Sequence, residues 1–195
     1  MRTVRLTVAL LVWCGTVFAT DIREFDIKTI ERLGKELTEV SQTRDKGATD
    51  PARKQAKQTA MAALQGRLFN IRYDYVVLDD PDGSGFLVYA LGQGPKRGDV
   101  VIHGHFKVTV SADGLKAQRV DALSHSLLIQ NKDKDPSPEG DHREIFVTSQ
   151  AVGTKPVETL IYASNLMKLP FGVATYPGQG WDIRNGKISK GEKIR

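Results

Sequence analysis

The chain has 195 residues, 40% of them hydrophobic, and carries 28 Lys and Arg against 23 Asp and Glu, a net charge of +5. That length suits one domain with an ordinary core and is short for two, and so mild a basic excess calls for no nucleic-acid partner. Cysteine occurs once, at Cys14, which excludes a disulfide framework and a thiolate zinc site.

Residues 1–19 read as a secretory signal peptide. Arg2 and Arg5 form a positive start, residues 6–15 (LTVALLVWCG) a short apolar run, and Val17-Phe18-Ala19 a small-x-small cleavage site. The run is shorter than the roughly 20 apolar residues a membrane span needs. Trp13 stands before Cys14 where a lipoprotein box has a small residue, so no lipid anchor is expected. Cleavage after Ala19 leaves 176 residues with 26 Lys and Arg against 23 Asp and Glu and no thiol. The expectation is a periplasmic or secreted protein that does not span the membrane.

Residues 21–44 predict a helix with Asp26 as N-cap. Ile27, Ile30, Leu33, Leu37 and Val40 form its apolar stripe, and Glu31 and Lys35 an i,i+4 pair on the solvent side. Asp50-Pro51 opens a second helix, with Ala56, Ala60, Ala63, Leu64 and Leu68 as its buried face. From Asn70 the period changes to two. Ile71, Tyr73, Tyr75 and Val77 alternate, Asp80-Pro81-Asp82-Gly83-Ser84-Gly85 is turn chemistry, and residues 86–91 complete a β-hairpin. Residues 100–110 predict one continuous strand, Asp113-Gly114 a turn and residues 115–123 the next strand. Residues 124–130 extend the sheet, and 132–143 form an exposed loop. Short strands follow at 144–149, 157–163, 171–176 and 181–183. Asn185-Gly186 then makes a hairpin turn, and a basic, frayed tail runs over about 187–195.

Helices first and strands after predict an α+β fold, with two N-terminal helices packed on a curved antiparallel meander sheet. That order is similar in outline to cystatin-like helix-on-meander folds, a likeness of element order alone that carries no functional residue.

Four features bear on chemistry. In a continuous strand His103 and His105 share one side, opposite Val100, Ile102, Phe106, Val108 and Val110. A three-residue turn at Asp113-Gly114 would add Asp121 and bring His125 near, a possible zinc site of His103, His105, Asp121 and His125. The polar surface of a strand accounts for the same histidines without metal. Asp80, Asp82 and Ser84 match half of a calcium loop, but the twelfth position is Leu91 rather than glutamate, and a tight turn explains the carboxylates. Phe171, Tyr176 and Trp181 flank Gly/Pro loops and are candidates for a binding surface. Arg53, Lys54 and Lys57 cluster on the second helix, as a solvated face or a weak contact for an anionic surface.

No Gly-x-Ser-x-Gly elbow, no dinucleotide fingerprint and no carboxylate pair suited to glycoside hydrolysis stands out. The reading is therefore an exported, non-enzymatic binding protein of the bacterial envelope, of inhibitor, immunity or accessory type. Its partner would be another envelope protein, and no cofactor is required. The rivals are a small metal-dependent hydrolase using His103 and His105, and a carrier holding a small apolar ligand between helices and sheet.

Overall fold

Asp26 caps the first helix from its side chain, accepting from Thr29 N at 3.1 Å, so α1 (Ile27–Val40) begins there and not at residue 21. Asp50 does the same for α2 (Pro51–Ala63), with proline in the first turn. The computed structural model describes residues 21–83, 85–133 and 145–193. The expected signal peptide and most of the loop expected at 132–143 lie outside these.

Strands β1 (Arg72–Asp79) and β2 (Gly85–Gln93) pair in the expected hairpin, Arg72 opposite Gln93 and Asp79 opposite Phe86. The predicted strand over 100–110 is two strands. Gly104 adopts φ 115°, a left-handed conformation open to glycine, and separates β3 (Asp99–His103) from β4 (Phe106–Ser111). β4 joins β2 and β5 (Ala117–Ala122) in an antiparallel sheet ordered β1-β2-β4-β5, while β3 pairs with β6 (Leu128–Asn131) in a separate ribbon.

The remaining strands form a third sheet, ordered β10-β9-β8-β7, from β7 (Phe146–Gln150), β8 (Phe171–Thr175), β9 (Gln179–Arg184) and β10 (Lys187–Lys193). The fold is thus α+β with mostly antiparallel sheets, and two corrections follow. Residues expected as a strand at 157–163 form helix α3 (Glu158–Met167), which crosses over to make β7 and β8 parallel. Nearly every residue of α3 is buried, and a short run apolar on all sides carries no period that tells helix from strand. The second correction is the tail. Residues 187–193, expected to fray, are an ordered strand on β9.

The β1-β2-β4-β5 sheet is covered on both faces. Ala56, Ala60 and Leu64 of α2 pack against Val77, Val88, Ala90, Phe106, Val108 and Val110. The other face sends Val76, Leu78, Leu87, Tyr89 and Leu91 into a larger core with α1, α3 and the third sheet. There α1 lies close on α3, because a Cβ at Gly34 would stand 2.5 Å from Ile161 Cβ. The predicted pair of Glu31 with Lys35 does not form. Lys35 faces Glu39 at 3.7 Å, and Glu31 turns to Lys187 and the Ile188 N–H of β10.

Candidate functional site: sealed polar clusters and an open basic groove

Pairing across β2, β4 and β5 sets Tyr89, Lys107 and Asp121 abreast in one row on the inner face of the sheet. Lys107 has a fully buried side chain. Its Nζ donates to Glu158 Oε1 at 3.0 Å and to the Arg23 carbonyl at 2.9 Å, and lies 4.6 Å from the centre of the Phe25 ring. Tyr89 donates its hydroxyl to the same Glu158 oxygen at 2.6 Å. Burial alone would raise the Glu158 carboxyl, but the Lys107 ammonium and the Tyr89 hydroxyl outweigh it and hold the group below its ordinary value. The Tyr89 phenol is pushed well above its ordinary value, by burial first and by the Glu158 charge second.

The cover over this row is the extended segment 21–26. Arg23 forks onto Asp80, Nη1 to Oδ2 and Nη2 to Oδ1 both at 2.7 Å, and also reaches Asp82. The Arg119 Nη2 donates to the Asp21 carbonyl, Lys155 Nζ to the Phe25 carbonyl, and Glu24 holds the Thr154 hydroxyl. The half calcium loop thus has its cation already: Asp80 and Asp82 hold the Arg23 guanidinium.

The two histidines are a correction to the expected polar face, since both are buried. His103 places Nε2 2.8 Å from Thr148 Oγ1. At His105 both ring nitrogens are engaged. Nδ1 accepts from Gly92 N at 3.0 Å, which puts the proton on Nε2, 3.1 Å from the Val101 carbonyl. A ring so engaged offers no lone pair to a metal. Nor does the expected register occur. Lys107, not His105, stands opposite Asp121, and Asp121 accepts from Arg119 Nε at 2.6 Å. His125 is exposed on the segment after β5. Among the described residues no group of three or more His, Cys, Asp and Glu could hold a metal ion.

Burial, with the nearby His103 contributing, holds the His105 imidazole down at about 4. The unfolded chain then binds a proton near pH 6.5 that the folded chain refuses until about 4. Stability is therefore fully present above 6.5 and falls as the pH drops through that window. Urea unfolding is expected to show a loss of about 2 kcal/mol between pH 7 and pH 5 from this residue. His103, also lowered by burial, acts in the same direction. A stability that is flat over that interval would place the His105 ring in contact with water.

Of the three aromatics expected at a binding surface, only Tyr176 is exposed, at 56%. Phe171 is fully buried against Phe146, ring centres 4.9 Å apart, and Trp181 is buried with its Nε1 donating to Thr175 Oγ1 at 2.9 Å. The basic cluster on α2 is reduced likewise. Arg53 is tied to Asp79 and to the Gly47 and Val77 carbonyls, and stacks over Phe86, leaving Lys54 exposed and Lys57 half-buried.

An open groove of about 850 Å³ lies elsewhere, between α1, the end of α3 and the β9–β10 turn. Its walls are Lys28, Glu31, Arg32, Lys35, Asn165, Asn185, Gly186 and Lys187. A second depression of about 280 Å³ shares Asn165 and Asn185 and adds Lys168, Leu169 and Pro170. Sequence reasoning missed this groove because its walls come from positions 28–35 and 165–187. The one local signal was the spacing of Lys28, Arg32 and Lys35, which puts three cations along one side of a helix.

Among the described residues these features define an α+β fold whose buried polar side chains are hydrogen-bonded to one another or to other protein groups, with an open cationic groove on its surface. The sequence matches no family model, and neither a curated protein nor a solved structure was found to match it.

Proposed function

We propose that the protein is an exported, non-enzymatic binding protein of the bacterial envelope, of inhibitor, immunity or accessory type. The observation that carries this reading is the state of its reactive side chains. Lys107, Glu158, Tyr89, His103 and His105 are buried, the first three bonded to one another, His103 to the Thr148 hydroxyl and His105 to the backbone. A general acid, base or nucleophile must reach its substrate, and these groups face inward. The carrier reading finds less support, because Leu33, Leu37, Leu78, Leu87 and Leu91 fill the space between helices and sheet.

Export rests on the pattern of residues 1–19. Protein recovered from outside the cytoplasm should begin at Thr20 and return an incubated ligand unchanged. A mature form that retains residues 6–18, or one lipidated at Cys14, would overturn the export reading. Stoichiometric metal lost on replacing both histidines would restore the hydrolase.

A further inference from the structure

The groove between α1 and the β9–β10 turn has a consistent chemistry. Lys28, Arg32 and Lys35 follow one another at i, i+4 and i+7, a row of about 10 Å at the rise of an α-helix. Lys187 faces them from β10, and Lys168 stands at the adjoining depression. The carboxylate in the wall is Glu31. It is engaged by Lys187 Nζ at 2.9 Å and by Ile188 N at 2.8 Å, and these bonds outweigh its burial and keep it ionised. Glu31 therefore serves as a positioning residue that ties β10 and Lys187 to the rim. Arg32 meets Glu36 at 3.2 Å and Lys35 meets Glu39 at 3.7 Å, both on the surface. Exposed pairs of this kind are weak and screened by water, so an arriving anion displaces them at small cost.

The rest of the lining says which anion fits. Among the described residues no aromatic and no aliphatic residue lines the larger depression, and its carbon surface comes from the stems of its polar and charged side chains. Bases of single-stranded nucleic acid need aromatic platforms, and peptides are held by buried apolar or aromatic anchors, so neither finds its contact here. Asn165 and Asn185 each offer an amide donor and acceptor, the pairing that hydroxyl groups use. Asn165 is set in place by its bond to Thr38 Oγ1 at 3.0 Å. Leu169 and Pro170, at the far end, give a small apolar footing for the face of a sugar ring.

We infer that this groove is a binding site for an acidic oligosaccharide, its carboxylates read by Lys28, Arg32, Lys35 and Lys187 and its hydroxyls by Asn165 and Asn185. This rests on the reading of the protein as a non-catalytic binder. The test is calorimetric titration of the mature chain with a four-residue oligogalacturonate. A neutral oligosaccharide of equal length and a tetraglutamate peptide run in parallel, each at low and at physiological salt.

Saturable binding of the oligogalacturonate, weakened by salt, is expected, with no binding of the neutral sugar. Lys28→Gln/Lys35→Gln/Lys187→Gln should weaken it at least tenfold. Lys54→Gln/Lys96→Gln/Lys116→Gln, which removes as many exposed charges elsewhere, should leave it within twofold. Both triple variants change surface residues, and their melting curves serve as the check on folding. The proposal is overturned if the wild type does not bind, if the two variants lose affinity equally, or if tetraglutamate binds as tightly. The probe recovered afterwards separates the two readings. Shortened oligogalacturonate would refute the non-catalytic reading while leaving the groove in place, and absent binding would refute the groove while leaving the binder.

Discussion

Replacing Lys107 by methionine is expected to lower the free energy of unfolding by about 3–5 kcal/mol. The substitution keeps an unbranched apolar stem, one atom shorter, and removes the ammonium together with its contact over the Phe25 ring. Glu158, only 3% exposed at its side chain, then keeps a carboxylate with no cation beside it in a place that water does not reach. The Arg23 carbonyl loses its donor as well. Removing one partner of a buried pair costs more than the pair contributes as a whole, since the survivor bears its full desolvation penalty. The double variant Lys107→Met/Glu158→Gln is therefore expected to regain most of the loss, with the glutamine amide oxygen still accepting from Tyr89. Urea unfolding with an unchanged m value is the measurement. A single variant within 1 kcal/mol of wild type would mean that the pair is hydrated.

Phe106→Ala should cost about 3–5 kcal/mol, as other buried aromatics do, and lower Tm by on the order of 10 °C for a domain of this size. Phe106 is 5% exposed and packs on Phe69 and Tyr73, ring centres 6.0 and 6.2 Å away. Little rearrangement can fill the void, because α2 closes that face with alanines that cannot extend. An unchanged melting temperature would contradict the packing of α2 on the sheet.

Phe106 and its neighbours His103 and His105 show which parts of the fold were legible in the sequence. The even positions of β4 alternate as a half-buried strand does, and Phe106, Val108 and Val110 are where the pattern put them. The odd positions, Lys107 and Thr109, look like a solvent face and are buried. They lie under residues 21–26, more than eighty positions away in the chain, and local periodicity has no access to such a cover. The histidines were misplaced for a second reason. Alternation was carried through Gly104, where the chain leaves one sheet for another. Local capping chemistry fared better, since Asp26 and Asp50 are the caps expected, although the first helix was drawn from residue 21 and starts only after its cap. The α3 helix was hidden because burial on every side erases the period. The groove was hidden because its two walls meet only in the folded chain.

The segment 21–26 has a consequence for the order of folding. Its partners are Asp80, Lys107, Arg119, Thr154 and Lys155, so the first described residues wait for a contact as far along as residue 155. Contacts of such sequence separation close late and slow the reaction, since the entropy of a long loop must be spent before any bond rewards it. A chain threaded out N-terminus first therefore cannot complete its clasp until residue 155 has emerged, although the partners at Asp80, Lys107 and Arg119 come earlier. Folding of this protein is in that sense a closing act, performed by the end of the chain that was made first.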